Sequence, residues 1–386
     1  MLGKLKNTRG KSNCFVTAKR TSKLHLMIKE TVFNNGDDFF NQLKKSITEA
    51  RRSIHLETYI FDQDVSGNII LNLLATAANR GVRVQLLLDG VGCAAWTFSD
   101  ARVWREKGIE LKFFHALPWQ RHPSAIWRLL TIKKILIGCF KLNRRNHRKI
   151  CLIDDDVVLI GSMNLSDRHL PSVVGKLAWR DVAVCIEGAD IEKYALAARE
   201  AWNFSQHHYG RRWRKMSQQK KTDYSNLLLQ LKSARKKICI TNPYFVPDFR
   251  LTRALCRAAW SGIEVKILLP SCSDIVGLKF AMESYYNALL TFGVEIYEYN
   301  ATILHAKILI VDDWVSVGSF NLDYRSIFYN LETNAILLQH DNVVTMQTQF
   351  VKDIASSVKI ELKSWKNRSW VHRSLEKFFL LFQGWL

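Results

Sequence analysis

Apolar residues along this chain recur in two alternating rhythms. Phe39, Leu43, Ile47 and Ala50 fall at helical spacing, and the short apolar run from Ile54 to Leu56 follows at strand length. Ile69 to Arg80 carries a second helical pattern that Gly81 ends, and the strand-like run from Val82 to Leu88 comes next. Strands separated by helices predict an α/β layer fold on a central sheet. The pattern then begins again. ARRSIHLETYIFDQD from Ala50 is matched by ARKKICITNPYFVPD from Ala234, and ANRGVRVQLLLDG from Ala78 by AWSGIEVKILLPS from Ala259. HRKICLIDDDVVLIGSMNL from His147 is matched by HAKILIVDDWVSVGSFNL from His305. The blocks keep their order, so the chain reads as one unit used twice.

The copies differ before the third block. The second passes from Tyr299 to His305 almost directly, whereas the first takes 33 positions from Phe114 to His147. That insertion, at about 115–146, contains Trp119, Arg121, His122, Trp127, Arg128, Lys133, Lys134, Arg144 and Arg145, and it is expected at the mouth of whatever His147 serves. The organisation that follows is a basic extension (1–23), a first domain (24–206), a basic linker (207–222) and a second domain (223–386). The linker, HHYGRRWRKMSQQKKT, reads as solvated chain. At the end, Val371, Leu375, Phe378, Phe382 and Trp385 form an apolar helical stripe facing Lys363, Lys366, Arg368, Arg373 and Lys377. Both packing onto the second domain and lying at an interface suit it.

Charge narrows the partners. Lys and Arg number 56 against 35 acidic residues, a net charge of +21. A field of that sign attracts polyanions, either nucleic acid or an anionic lipid surface. The eight cysteines form no C-x-x-C pair and no cluster with histidine, which argues against a zinc site or a disulfide framework and suits a reducing cytoplasm. The first twenty residues hold no apolar run of the kind a signal peptide needs. No stretch reaches the ~18 uncharged apolar residues of a spanning helix. The best candidate, Ile126 to Leu142, is interrupted by Arg128, Lys133, Lys134 and Lys141, so membrane contact is expected to be peripheral.

The chemistry lies in the third block. Both copies carry H-x-K-x4-D: His147, Lys149 and Asp154, then His305, Lys307 and Asp312. A G-S-x-N follows each, with Ser162 and Asn164 in the first copy and Ser319 and Asn321 in the second. The flanking residues are strand formers, and on a strand positions i and i+2 share a face. Each histidine therefore projects with its lysine. Each aspartate has the opposite parity, which suits support of the strand end better than attack.

Two such motifs in one chain resemble the phospholipase D superfamily, over nearly the whole chain from about Leu24 to Leu386. Within it, ETYIFDQD, GVRVQLLLDGVG, NHRKICLID, WRDVAV and GSFNLDYRSIFYNLETN are similar to stretches of bacterial cardiolipin synthases. Asp323, Arg325, Ser326, Asn330 and Glu332 lie in the most family-specific of these. Two departures stand out. Six residues separate Asp154 from Gly161 but five separate Asp312 from Gly318, and the N-terminus lacks the membrane hairpin of some relatives. The resemblance implies two tandem α/β/α sandwich domains related by a pseudo-twofold axis, with one active site at their interface. It further implies an acidic residue downstream of each motif that orients that motif's histidine, for which Asp181 and Glu332 are the candidates. Family analogy favours His147 as nucleophile, although the residues themselves leave the choice of histidine open.

Residue types supply a mechanism. A phosphodiester repels nucleophiles, so fixed positive charge and donors are needed around phosphorus, from Lys149, Lys307, Ser162, Ser319, Asn164 and Asn321. One neutral imidazole attacks to form a phosphohistidine, and the other, protonated, serves the leaving and entering hydroxyls. No metal or other cofactor is needed.

Lipid is favoured over nucleic acid because the insertion interleaves Trp with Arg and Lys, the C-terminal stripe is amphipathic, and the segment around Arg325 and Glu332 is family-specific. The leading reading is phosphatidyl transfer, with phosphatidylglycerol as donor and acceptor and phosphatidylethanolamine left open, at the cytoplasmic face of a bacterial membrane. A lipid phospholipase D is the alternative, a nuclease ranks third and a non-enzymatic membrane scaffold last. Because the duplication completes one site, no obligate protein partner is expected.

Overall fold

The computed structural model describes residues 28–121, 143–188, 191–205 and 210–384. Its first repeat runs β1 (Ile28–Phe33), α1 (Gly36–Glu49), β2 (Ser53–Thr58), α2 (Val65–Asn79), β3 (Arg83–Asp89), α3 (Phe98–Glu106), β4 (Glu110–Phe114), β5 (Ile150–Ile153), β6 (Val157–Gly161), α4 (Pro171–Val174), β7 (Ala183–Gly188) and α5 (Glu192–Phe204). Helix α6 (Gly210–Lys232) leads to the second: β8 (Lys237–Thr241), α7 (Phe249–Trp260), β9 (Glu264–Pro270), α8 (Val276–Glu283), α9 (Tyr286–Thr291), β10 (Glu295–Tyr299), β11 (Ile308–Val311), β12 (Trp314–Gly318), α10 (Tyr324–Phe328) and β13 (Asn334–Leu337). The chain closes with α11 (His340–Ala355), β14 (Ser357–Lys359), α12 (Leu362–Lys366) and α13 (Trp370–Leu380).

Each repeat builds a seven-stranded sheet, ordered β1-β7-β6-β5-β2-β3-β4 and β13-β12-β11-β8-β9-β10-β14. Six strands correspond in the same order, and the unmatched β1 and β14 sit on opposite edges. β2, β3 and β4 are mutually parallel, as are β8, β9 and β10, and β5 and β11 run antiparallel to the strands beside them. Alternation along the central strands decides what each face meets. Ile150 and Leu152 of β5 join Ile308 and Ile310 of β11 in a single core between the sheets. Cys151 and Ile153 face the core under α1 and α2, while Leu309 and Val311 face the core of the second repeat's helices. Helices α5 and α11 add Ala195, Ala198, Val343 and Met346 to the shared core, so each sheet has helices on both sides. The two repeats therefore bury a common apolar layer rather than touching at a wet interface.

Asp154 and Asp312 depart from the active-site grouping suggested by their motifs. Each begins the hairpin turn after its motif strand, at φ of 54° and 53°. The Asp154 carboxylate accepts the backbone N–H groups of Arg51, Arg52 and Ser53 at 2.7–2.8 Å. Asp312 does the same for Arg235, Lys236 and Lys237 at 2.8–3.0 Å. Both therefore fasten the start of the neighbouring strand, at the opposite end of β5 and β11 from the histidines. The extra residue of the first motif lies in this turn, which spans 154–156 in one repeat and 312–313 in the other.

The presumption of a solvated linker meets a helix instead. Residues 210–222 are the first half of α6, whose Tyr224, Leu227 and Leu231 pack in the second repeat's core, so the helix is carried back through the basic stretch. The basic extension 1–23, residues 122–142 of the insertion and positions 206–209 lie outside the described residues. Arg145, expected at the mouth, is instead fully buried and pairs with Asp89 at 3.3 Å.

Candidate active site

His147 and Lys149 lead into β5, and His305 and Lys307 lead into β11. All four are at least nine-tenths buried. The approach to His147 is held by two buried acids that end strands β2 and β3. Glu57 accepts the Asn146 side-chain amide at 2.8 Å and pairs with Arg148 at 3.0 Å. Asp89 accepts the Asn146 backbone N–H at 2.8 Å. Neither acid was singled out from the sequence, although each is a lone carboxylate closing an apolar strand.

The repeats exchange partners at the site. The backbone N–H of His147 donates to Leu331 O at 2.9 Å, and that of His305 donates to Arg180 O at 2.8 Å. These bridges carry an acid from each repeat to the other repeat's histidine. His147 Nδ1 lies 3.0 Å from Glu332 Oε2, and His305 Nδ1 lies 2.7 Å from Asp181 Oδ2. The expectation that each acid orients its own motif's histidine is therefore corrected, because the crossed bridges set Leu331 against His147 and Arg180 against His305. Asp181 and Glu332 both reach the histidines, with their partners interchanged.

The serines serve these acids. Ser162 Oγ donates to Asp181 Oδ1. Ser319 Oγ donates to Glu332 Oε2 at 2.6 Å, and Ser326 Oγ donates to Glu332 Oε1 at 2.8 Å. The expectation that Ser162 and Ser319 face phosphorus is thus replaced by a supporting position behind the acids. Asn164 accepts the Ile60 backbone N–H at 3.3 Å through its Oδ1. Asn321 Oδ1 is buried without a hydrogen-bond partner.

Nδ1 of each reactive-type histidine is committed to an acid, so Nε2 is the nitrogen left for chemistry. Burial pushes the His147 imidazole down to about 4, against the pull of Glu332 and with Lys149 adding to the depression. Burial and Lys307 push His305 down to about 3, with Asp181 opposing. Burial would raise Asp181, but His305 and His169 beside it hold it well below the usual carboxylate range. Burial, then the charge of Lys307, pulls Lys149 well below its ordinary value, and burial brings Lys307 to about 8. That Lys307 acts on His147 and Lys149, and that both acids act on both lysines, places the two half-sites in one electrostatic pocket. Lys149 Nζ donates to His147 O at 2.9 Å and Lys307 Nζ to His305 O at 2.6 Å, and two buried lysines with lowered proton affinity favour a bound anion.

Aromatic rings wall this pocket. Tyr59 sits 4.9 Å from the His147 ring, Trp179 5.3 Å from the His305 ring and Tyr244 6.4 Å from it. His169, 5.8 Å from His305, also escaped the sequence reading, since a lone histidine after the G-S-x-N gives no spacing signal. Elsewhere, Glu283, His372 and Glu376 bring three ligand-type atoms together. Arg368 Nη2 donates to Glu376 at 2.7 Å and Lys279 lies 3.6 Å from Glu283, so their charge is already answered by cations and the trio ties α13 to α8.

A family model described as "Cardiolipin synthase, PLD-like domain" matches residues 43–195 and 227–354. A cardiolipin synthase of Halalkalibacterium halodurans is 32% identical over 377 residues, covering 89% of this chain and 70% of that protein. Cardiolipin synthase 1 of Bacillus anthracis is 30% identical over 377 residues, covering 91% and 71%. In fold, the chain is similar to a phosphatidylserine synthase from Haemophilus influenzae Rd KW20, with a TM-score of 0.64 and 12% identity over 93% of this chain and 95% of that one.

Proposed function

The chain belongs to the cardiolipin synthase family of phospholipase D-like proteins, and from that premise we propose that it is a phosphatidyltransferase joining two phosphatidylglycerol molecules into cardiolipin with release of glycerol. The observation that carries the reading is the pair of buried histidines, each oriented by the opposite repeat's acid, beside two lysines in one pocket. A phosphodiester anion between Lys149 and Lys307 restores the positive charge that burial makes costly. One imidazole, neutral in the empty site, attacks phosphorus through Nε2 and forms a phosphohistidine. The anion raises the proton affinity of the other imidazole, which donates to the departing glycerol oxygen and later takes the acceptor's proton. Exclusion of water decides between transfer and hydrolysis, and the aromatic walls and deep burial favour a lipid acceptor. Incubation with phosphatidylglycerol vesicles followed by thin-layer chromatography is expected to give cardiolipin and glycerol. Phosphatidic acid as the sole lipid product would sink the transferase reading and favour the hydrolase.

The lysine environment sets a pH dependence. Lys307 binds phosphate only when protonated, and its affinity for that proton is lowered to about 8. Activity at limiting substrate is therefore full below that value and falls as pH rises through it. Lys307→Arg, whose guanidinium stays charged, is expected to move this alkaline limb upward by more than one pH unit even if overall activity drops. An unmoved limb in a kcat/KM profile would assign the titration to another group.

Attachment to the membrane surface, at its cytoplasmic face, follows the same proposal. Among the described residues no helix is long and apolar enough to cross a membrane. Helix α13 docks on α8 with one face, where Phe379 stacks on Phe280 at 5.5 Å. Its other face leaves Trp370, Val371, Phe378, Leu381 and Phe382 exposed. The predicted stripe thus stays largely open, and the helix is held through residues between its members. Trp385, the last of the stripe, lies outside the described residues. Just past α13, Gly384 O accepts from the side chain of Asn143 at 2.9 Å, four residues before His147, so this apolar face adjoins the site's approach. Replacing Trp370, Phe378 and Leu381 by serine is expected to weaken binding to phosphatidylglycerol vesicles by about ten-fold or more, while turnover of a short-chain, monomeric phosphatidylglycerol persists. Equal loss on both substrates would argue against a docking face.

A further inference from the structure

The two half-sites differ in what stands behind the orienting acid. Counting from the glycine of each G-S-x-N, His169 stands where the second repeat has Ser326. The local turns confirm the correspondence. Ser166 caps the turn at Asp167–His169, and Asp323 caps α10 at the equivalent place. Ser326 donates its hydroxyl to Glu332, the acid that orients His147. His169 presents Nδ1 at 3.2 Å to Oδ2 of Asp181, the acid that orients His305.

The tautomer of His169 is determined by its other nitrogen. The backbone N–H of Asn164 donates to His169 Nε2 at 3.2 Å, so Nε2 carries a lone pair and Nδ1 carries the proton. Nδ1–H is therefore the side of the ring that faces Asp181. His169 is only 2% exposed, with Asp181 at 3.2 Å and the rings of Trp179 and His305 at 5.5 and 5.8 Å. Oδ2 of Asp181 thus lies between two imidazole nitrogens, 2.7 Å from His305 and 3.2 Å from His169, whereas Glu332 faces His147 and accepts from the hydroxyls of Ser319 and Ser326.

We propose that His169 is a positioning residue which orients Asp181 and, through it, fits His305 for proton transfer, making the two half-sites chemically unequal. The proposal rests on the two-step transfer described above. In the first step His147 Nε2 bonds to phosphorus as the bond from phosphorus to the departing glycerol oxygen breaks, and His305 Nε2 gives that oxygen its proton. In the second the acceptor hydroxyl returns a proton to His305 while its oxygen displaces His147. A carboxylate flanked by two ring nitrogens is restricted in rotation about its own axis, and its negative charge is divided. Both effects keep His305 able to give up its proton rather than hold it as a tight ion pair.

The test uses a dihexanoyl-phosphatidyl p-nitrophenyl ester, whose leaving group departs without being protonated. With it, the first step no longer needs His305, and only the second does. His169→Ala is expected to retain the wild-type burst of p-nitrophenol while steady-state turnover falls roughly 10–100-fold. His169→Asn places an amide N–H where Nδ1–H was, and is expected to recover turnover to within a few-fold of wild type. A burst slowed as much as turnover would overturn the proposal. So would an asparagine variant no better than alanine, with both losses tracking a lowered melting temperature. If the wild-type enzyme showed neither a burst nor a phosphatidyl group attached after acid quench, the two-step reading would fail and take this assignment with it.

Discussion

His147→Ala is expected to reduce phosphatidyl transfer by about 10⁴-fold or more, because the pocket's other acid-oriented imidazole, His305, is needed for proton transfer and cannot serve as nucleophile as well. Substitution by alanine leaves Glu332 buried among Ser319, Ser326 and an empty space, yet the fold has other anchors there. The His147 backbone keeps its bond to Leu331, and Asn146 keeps Glu57 and Asp89. The protein is therefore expected to fold and to bind phosphatidylglycerol while failing to form a covalent species. His305→Ala should differ in kind. It keeps the nucleophile, so an activated donor still loads the enzyme, and intact-mass measurement is expected to show one phosphatidyl group attached and turning over slowly. Loading of His147→Ala, or its turnover within about a hundred-fold of wild type, would remove His147 from the nucleophile's place.

The second large effect concerns the crossed acids. Glu332→Gln and Asp181→Asn keep shape but remove the charge that stabilises an imidazolium and fixes its tautomer, and each is expected to lower transfer by about 10²–10⁴-fold. The crossing makes the signature specific. Glu332 is in the second repeat but touches His147, so its amide variant should slow formation of the covalent intermediate. Asp181 is in the first repeat but touches His305, so its variant should load normally and slow resolution. In ¹⁵N spectra of histidine-labelled protein, Glu332→Gln is expected to shift the His147 nitrogens and Asp181→Asn those of His305 and His169. Asp181→Asn that perturbed His147 alone would restore the uncrossed arrangement and refute the pairing seen here.

Much of the architecture was legible because its signals are local. Phe39, Leu43 and Ile47 mark α1 by spacing alone, and all three are buried where that spacing puts them. Gly81 ends α2 in the left-handed region at φ 88°, and Gly262 does the same after α7 at φ 85°, so the repeat is visible even in its turns. Basic composition misled in two places. Residues 210–222 are helical because α6 has an apolar face farther along that anchors it, and Arg145 is buried because Asp89 answers its charge. Composition reports what a segment would do in water, and neither case is decided there.

By itself the sequence established that two copies of one unit each carry a histidine, a lysine and a supporting acid, and that parity would turn each lysine to its histidine's side. It also set each aspartate apart from them. Which acid meets which histidine, that serines stand behind the acids, and that a third histidine distinguishes the half-sites were decided only when the repeats packed. The pairing depends on contacts between residues more than 120 positions apart, such as Asp181 with His305, and even Ser319 and Ser162 reach their acids across 13 and 19 positions. Periodicity and spacing describe neighbours along the chain, and they carry no information about which strand end faces which across a shared core.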